Sequence, residues 1–258
     1  MPTITVDDAK VHYEISGNGP KTVLVHGTGS GGAELVWGQA PDEFTEGRTI
    51  VLPDLSGARN TVDDGGELTV ERLVGQIIAV VEDSGGGPAD LVGFSLGGTL
   101  VAAAAARRPD LVRRVVSVAG FPHADHPAMR QSFELWRSLA SDPERFGKFA
   151  TVAAFSPGFL GGLDEGTLAA VNAGMVPDEG TLRHIDLDLR VDIRESLPRV
   201  AAPTLVIGNR KDGTVPVDLT AELAERIPGS TYVEFDSGHI TFAEQPRRFF
   251  EEVSAFLR

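Results

Sequence analysis

Ser95 stands between two glycines at the end of an apolar run, in Gly93-Phe94-Ser95-Leu96-Gly97. Before it, Ala89-Asp90-Leu91-Val92 reads as a buried strand. After it, Gly98-Thr99-Leu100-Val101 and five alanines up to Arg107 read as a helix with a basic last turn. A serine on a sharp strand-to-helix turn is held in a strained conformation that presents its hydroxyl beside the positive end of the helix. That is a nucleophile's position, although the motif by itself also fits an ordinary tight turn. Serine is a weak nucleophile at neutral pH and needs an adjacent base. Two later segments supply partners. Thr204-Leu205-Val206-Ile207-Gly208 leads into a loop carrying Asp212, and Thr231-Tyr232-Val233-Glu234-Phe235 leads into Asp236-Ser237-Gly238-His239. His239 would take the serine proton and return it to the leaving group. Asp212 would hold the other imidazole nitrogen and stabilise the imidazolium.

These residues converge only if the strands that precede them lie parallel in one sheet, because ligand sites form at the carboxyl edge of such sheets. The pattern fits. Short opening strands are expected near Thr3 to Val6 and Val11 to Ser16. Core strands are expected near Thr22 to Val25, Thr49 to Pro53, Leu91 to Phe94, Val115 to Ala119, Leu205 to Ile207 and Tyr232 to Phe235. Helical patterns near Glu34 to Phe44, Thr69 to Glu82, Leu96 to Arg107, Val217 to Ile227 and Pro246 to Leu257 alternate with them. Continuous Val/Ile/Leu runs separated by helices indicate a mostly parallel central sheet flanked by helices, an α/β fold. Between Phe121 and about Pro198 the strand rhythm stops and aromatic residues recur: Phe133, Trp136, Phe146, Phe149, Phe155 and Phe159. Helical spacing of such residues ordinarily means packing. No internal repeat or low-complexity linker is apparent.

With Ser95, Asp212 and His239 in that order, the chain resembles the α/β-hydrolase superfamily over nearly its whole length. Val23-Leu24-Val25-His26-Gly27 looks like that family's third strand and His-Gly oxyanion loop. Thr49-Ile50-Val51-Leu52-Pro53-Asp54 looks like its next core strand, followed by a loose version of the usual loop. Ala202 to Gly208 and Gly238-His239 match later landmarks. The resemblance implies a core of residues 1–120 and 199–258 with a small helical cap at 121–198. It implies an oxyanion hole built from the backbone N–H groups of Thr28 and Leu96, with His26 shaping the loop. It also implies a substrate pocket to which Phe94, Phe133, Trp136, Phe155 and Ile240 would contribute. Haloalkane dehalogenases and epoxide hydrolases of this fold place an aspartate at the elbow, so Ser95 points instead to esterases, enol-lactone hydrolases and cofactor-free perhydrolases. The expected activity is cofactor-independent hydrolysis of a small to medium apolar ester or lactone through an acyl-enzyme. A thioesterase, a C–C bond hydrolase, or a ligand-binding receptor with slow turnover remain as alternatives.

Composition narrows the partners. The 258 residues suffice for one substantial core, and 41% hydrophobic with 23% charged residues is ordinary for a soluble enzyme. A net charge of −14 argues against nucleic acid and anionic membrane, both of which need basic patches. A small-molecule substrate is the expected partner. With no cysteine, disulfides and thiolate chemistry are excluded. The amino terminus lacks the blocks of a secretory signal and no apolar run is long enough to span a bilayer, so a cytoplasmic location is expected.

Several other motifs compete with this reading. Gly27-Thr28-Gly29-Ser30-Gly31-Gly32 matches a dinucleotide fingerprint, with Asp54 at the end of the next strand. That reading leaves Ser95, Asp212 and His239 unexplained. His123, Asp125 and His126 form a metal-like cluster, read here as a polar loop, so no metal is expected. Asp125 is kept as the second candidate for the catalytic acid. His184 and His12 have no companions at ligand spacing and are read as surface or locally bonded. Asp236 is read as structural.

Overall fold

The alanine-rich segment after Ser95 carries no polar face, so it is stable only when covered on every side. A computed structural model describes residues 2–258, and in it that segment is helix α4 (Leu96–Arg107), buried from Leu96 to Ala106. It packs against β5 (Ala89–Phe94) and β6 (Val112–Val118), whose side chains face helices on both sides. Around them, β1 (Thr3–Val6), β2 (Ala9–Gly17), β3 (Lys21–Val25), β4 (Thr49–Asp54), β7 (Thr204–Asn209) and β8 (Thr231–Phe235) complete a sheet of eight strands among the described residues. The order is β1-β2-β4-β3-β5-β6-β7-β8. β1 and β2 pair antiparallel, as do β2 and β4, and every later pair is parallel. The carboxyl ends of β3, β5, β7 and β8 therefore share one edge.

Helix starts follow their capping residues. The Thr69 side chain accepts the Arg72 N–H and opens α3 (Val70–Asp83), which buries Leu73, Val74, Ile77, Val80 and Val81 on one stripe. The expected helix from Glu34 to Phe44 is instead two short ones, α1 (Gly32–Trp37) and α2 (Asp42–Thr45). Gly38 and Pro41 between them explain the break: glycine is the poorest non-proline helix former, and Pro41 supplies no N–H. The segment between β6 and β7 is helical: α5 (Pro127–Ser138), α6 (Pro143–Ala154), α7 (Pro157–Leu160), α8 (Glu165–Gly174) and α9 (Glu179–Asp188). Asp142, Ser156, Asp164 and Asp178 each cap the helix that follows by accepting the N–H three residues on. A short repeat does exist where none was expected: Asp-Glu-Gly-Thr-Leu occurs at 164–168 and 178–182, and both copies start a helix. α10 (Val217–Arg226), α11 (Thr241–Glu244) and α12 (Pro246–Leu257) close the chain.

Phe133, Trp136 and Phe146 pack on one another, with ring centroids 6.0 and 5.4 Å apart. They join Met129, Ile185 and Leu187 in the larger of two apolar clusters. None of the helices of the described residues is long and apolar enough to cross a membrane.

Candidate active site

Ser95 has φ 55° and ψ −122°, a backbone conformation in the left-handed half of the map that a residue with a β-carbon adopts only under constraint. The constraint comes from packing on all sides. The Ser95 N–H donates to the Val118 carbonyl at 2.8 Å. A β-carbon on Gly97 would lie 2.4 Å from the His26 carbonyl oxygen, and one on Gly27 would lie 2.9 Å from Cβ of Ser95. The loop after β3 is thus pressed directly onto the turn that carries Ser95. As the first residue of α4, Leu96 has an N–H with no intrahelical acceptor.

Asp212 and His239 lie on the loops after β7 and β8, and His239 Nδ1 is 2.7 Å from Asp212 Oδ2. Both side chains are almost wholly enclosed. A carboxylate only accepts, so Nδ1 carries a proton, and in the neutral imidazole Nε2 therefore keeps its lone pair. Asp212 is itself fixed, because its Oδ1 accepts the N–H groups of Thr214 and Val215, each at 2.8 Å. The imidazole packs on Phe94, the neighbour of Ser95, at 4.7 Å between centroids. Asn209 ties the two loops together: its Nδ2 donates to the His239 carbonyl at 3.0 Å, and its Oδ1 accepts the Ser237 hydroxyl.

The α6–α7 junction holds the same loops from above. The Ala153 and Ala154 carbonyls accept the N–H groups of Gly213 and Ile240, the residues next to Asp212 and His239. The Glu244 carboxylate accepts both the N–H and the hydroxyl of Ser156, at 2.7 and 2.6 Å. Phe155 stacks on Phe159 beside this junction. Sequence reading found neither Asn209 nor Glu244.

His26 and His184 organise the loop after β3. The Leu55 N–H donates to His26 Nε2 at 3.1 Å, so the His26 proton sits on Nδ1 and bonds the Gly27 carbonyl at 2.8 Å. His184 is not on the surface. It is buried, accepts the Gly29 N–H at Nδ1 (3.2 Å) and donates from Nε2 to the Ser56 carbonyl (2.8 Å). His12 is buried too, with Nδ1 3.1 Å from Asp54 Oδ2. Asp54 Oδ1 in turn accepts the Ala33 N–H at the start of α1, which occupies the acid of the fingerprint-like motif with a helix start.

Within the metal-like cluster the Asp125 N–H donates to His123 Nδ1 at 3.1 Å, and the remaining side-chain hydrogen bonds lead away from it. His123 bonds Glu222, His126 faces Asp218, and Asp125 pairs with Arg194. Asp125 is well exposed. Asp236 pairs with Lys211 on the surface. Two surface clefts, one beside Val70, Val74 and Ile193 and one beside Ile15, Trp37 and Leu52, are lined by none of Ser95, Asp212 and His239.

Burial, and secondarily the nearby His26, lowers the His184 pKa to about 4. An unfolded histidine titrates near pH 6.5. Between those values the unfolded chain takes up a proton that folded His184 refuses, so this contribution to stability falls as the pH drops. Burial shifts His26 the same way, and raises Asp188, whose contribution has the opposite sign. Comparing wild type with His184→Gln isolates one proton. The slope of unfolding free energy against pH is expected to be less positive in the variant by about 1 kcal/mol per pH unit between pH 4.5 and 6. Urea unfolding at several pH values measures it, and parallel lines would refute it.

Comparison with known proteins agrees with this architecture. A family model described as the alpha/beta hydrolase fold matches residues 21–246. The chain is 37% identical to the pyrrolizixenacetamide deacetylase of Xenorhabdus hominickii, over all of this chain and 98% of that one. It is 27% identical to the pimeloyl-[acyl-carrier protein] methyl ester esterase of Vibrio atlanticus, over 96% of this chain and 98% of that one. Among solved structures, the enol-lactonase from Burkholderia xenovorans superposes with a TM-score of 0.87 at 23% identity, covering 99% of each chain.

Proposed function

The chain belongs to the α/β-hydrolase fold family, and from that premise we propose that it hydrolyses a small to medium, largely apolar ester or lactone through an acyl-enzyme on Ser95. One observation carries the reading: the 2.7 Å bond between Asp212 and His239, on the loops after β7 and β8, with the imidazole packed on Phe94 beside Ser95. That bond sets the imidazole tautomer a general base needs. His239 Nε2 takes the Ser95 proton as Oγ attacks the acyl carbon. The tetrahedral oxyanion is received by the backbone N–H groups of Thr28 and Leu96, where prealigned donors are worth about 3 kcal/mol each. Collapse breaks the bond to the leaving oxygen, which takes the proton from His239. Water then repeats the sequence on the acyl-enzyme, releasing the acid and restoring Ser95. No cofactor enters any step. Phe94, Phe133, Trp136, Phe155 and Ile240 supply the apolar walls in this proposal, with residues 121–198 as the cap.

A second reading has its own support. The relative at 37% identity is named a deacetylase of an acetamide, so a small acyl group on nitrogen is an alternative substrate for the same residues. The acyl-enzyme would be the same, and only the leaving group would differ.

A fluorophosphonate probe with peptide mapping tests the nucleophile, and a panel of esters, lactones, acetamides, thioesters and diketones tests the leaving group. Labelling is expected at Ser95, with multiple turnover on esters or lactones. Labelling elsewhere, or a single slow turnover on every member of the panel, would overturn the proposal.

A further inference from the structure

The helix α9 reads along one side of the loop after β3, residue by residue. Asp178 accepts the Ser30 hydroxyl, Thr181 Oγ1 accepts the Ser30 N–H at 3.1 Å, and His184 accepts the Gly29 N–H at 3.2 Å. Asp188 Oδ2 accepts the Thr28 hydroxyl at 2.6 Å. Steps of three, three and four residues keep all four groups on one helical face. The helix itself is fastened to the body of the fold. A β-carbon on Gly180 would lie 1.8 Å from the Gly57 carbonyl oxygen. Arg183 grips Asp63 with both Nη atoms at 3.0 and 2.9 Å, and its Nε donates to the Gly66 carbonyl.

Asp188 is the member of this set that stability alone does not explain. It is fully buried beside Ile185 and Leu187, and its Oδ1 has no hydrogen-bond partner among the described residues. An acid in such surroundings costs stability that an aliphatic side chain of similar size would not. Its one hydrogen bond goes to Thr28, the residue whose N–H is read above as an oxyanion donor. We propose that Asp188 is a positioning residue for the oxyanion hole, fixing the Thr28 N–H through the Thr28 hydroxyl, with α9 as the template for the loop. This rests on the proposed roles of Ser95, Asp212, His239 and Thr28. Burial pushes the Asp188 carboxyl pKa well above the usual carboxylate range, which favours the neutral acid and disfavours a negative charge near the developing oxyanion.

The test compares Asp188→Leu, Asp188→Asn, Thr28→Val, Thr28→Ser and the double variant Thr28→Val/Asp188→Leu on one ester. Losing an oxyanion donor outright costs about 10² to 10³ in kcat, and a displaced one less. Asp188→Leu and Thr28→Val are each expected to lower kcat about 10- to 100-fold, with KM changed less than about three-fold. The double variant is expected to be no worse than the poorer single one, since both remove the same bond. Asp188→Asn restores kcat to within about three-fold of wild type, because a neutral amide carbonyl still accepts the Thr28 hydroxyl. Fluorophosphonate labelling of Ser95 goes to completion in every variant, which separates this proposal from the nucleophile assignment. Labelling away from Ser95 in the wild type would remove the underlying reading instead. Unchanged kcat in folded Asp188→Leu, additive losses, or an Asn variant as poor as the Leu variant would overturn the inference. If Asp188→Leu does not fold, equal kcat in Thr28→Val and Thr28→Ser overturns it, and a loss confined to Thr28→Val supports it.

Discussion

Replacing Ser95 with alanine is expected to lower turnover of the best ester about 10⁶-fold, near the loss seen when the nucleophile of a serine protease triad is removed. The substitution deletes only Oγ. Alanine keeps the β-carbon that Gly27 packs against and meets the same backbone constraint at φ 55° that serine does. The fold, and the Ser95 N–H bond to Val118, should therefore survive, with a thermal midpoint within a few degrees of wild type. Initial rates on purified protein, with a mass spectrum showing no fluorophosphonate adduct, make the measurement. Ester turnover within ten-fold of wild type would remove Ser95 from the chemistry and leave the strained turn without a role.

The parts of the fold legible in the sequence are those whose signal is local. The limits expected near Leu96 to Arg107 and Pro246 to Leu257 coincide with the observed helices, because the alanine-rich run 100–107 ends in a basic last turn and Pro246 suits a first helical turn. Order along the chain likewise made the α/β-hydrolase core readable, since parallel strands separated by helices admit few arrangements. Glu34 to Phe44 misled because its apolar spacing suits a helix while Gly38 and Pro41 interrupt it, and the interruption won. The supports of the candidate site were illegible for a different reason. Asp188 meets Thr28 across 160 positions, His184 meets Gly29 across 155, and Glu244 meets Ser156 across 88. A polar side chain with so distant a partner has no periodicity to betray it. His184 read as bland because no metal-ligand spacing surrounds it, yet its burial and two backbone bonds make it a structural rivet. A usable hint did exist in the repeated Asp-Glu-Gly-Thr-Leu. It fixes where α9 starts, and Gly180 within it answers the close approach of Gly57.

These supports divide between the two halves of the candidate site. The α6–α7 junction bonds to the loops of Asp212 and His239, and α9 bonds to the loop of Thr28. A helical segment that only covered a pocket would not need hydrogen bonds to the residues flanking each candidate catalytic group. Substitutions in the segment are therefore expected to register in kcat as well as in substrate preference.

Asp212→Asn is expected to reduce turnover about 10⁴-fold, the cost of the corresponding change in a serine protease, and the local bonding says why. Oδ1 of Asp212 accepts two backbone N–H groups, from Thr214 and Val215. In the asparagine variant those two donors hold the amide oxygen at that place, because an NH2 there would face donors only. The amide nitrogen must then point at His239 Nδ1, where Oδ2 now lies 2.7 Å away. An N–H directed at Nδ1 requires Nδ1 as an acceptor, which moves the imidazole proton to Nε2. Nε2 is the atom that should receive the Ser95 proton, so the base is blocked by its own tautomer. Size and loop bonding are preserved, and the thermal midpoint should change little. Asp125→Asn provides the contrast: that carboxylate is exposed and paired with Arg194 at 2.9 Å, and its replacement should alter turnover less than two-fold. Rates at saturating ester decide between the two acids, and nitrogen-15 spectra of the His239 ring should show the proton moved from Nδ1 to Nε2 in Asp212→Asn. Near-normal turnover in that variant, or a larger loss in Asp125→Asn, would transfer the acid to the loop after β6.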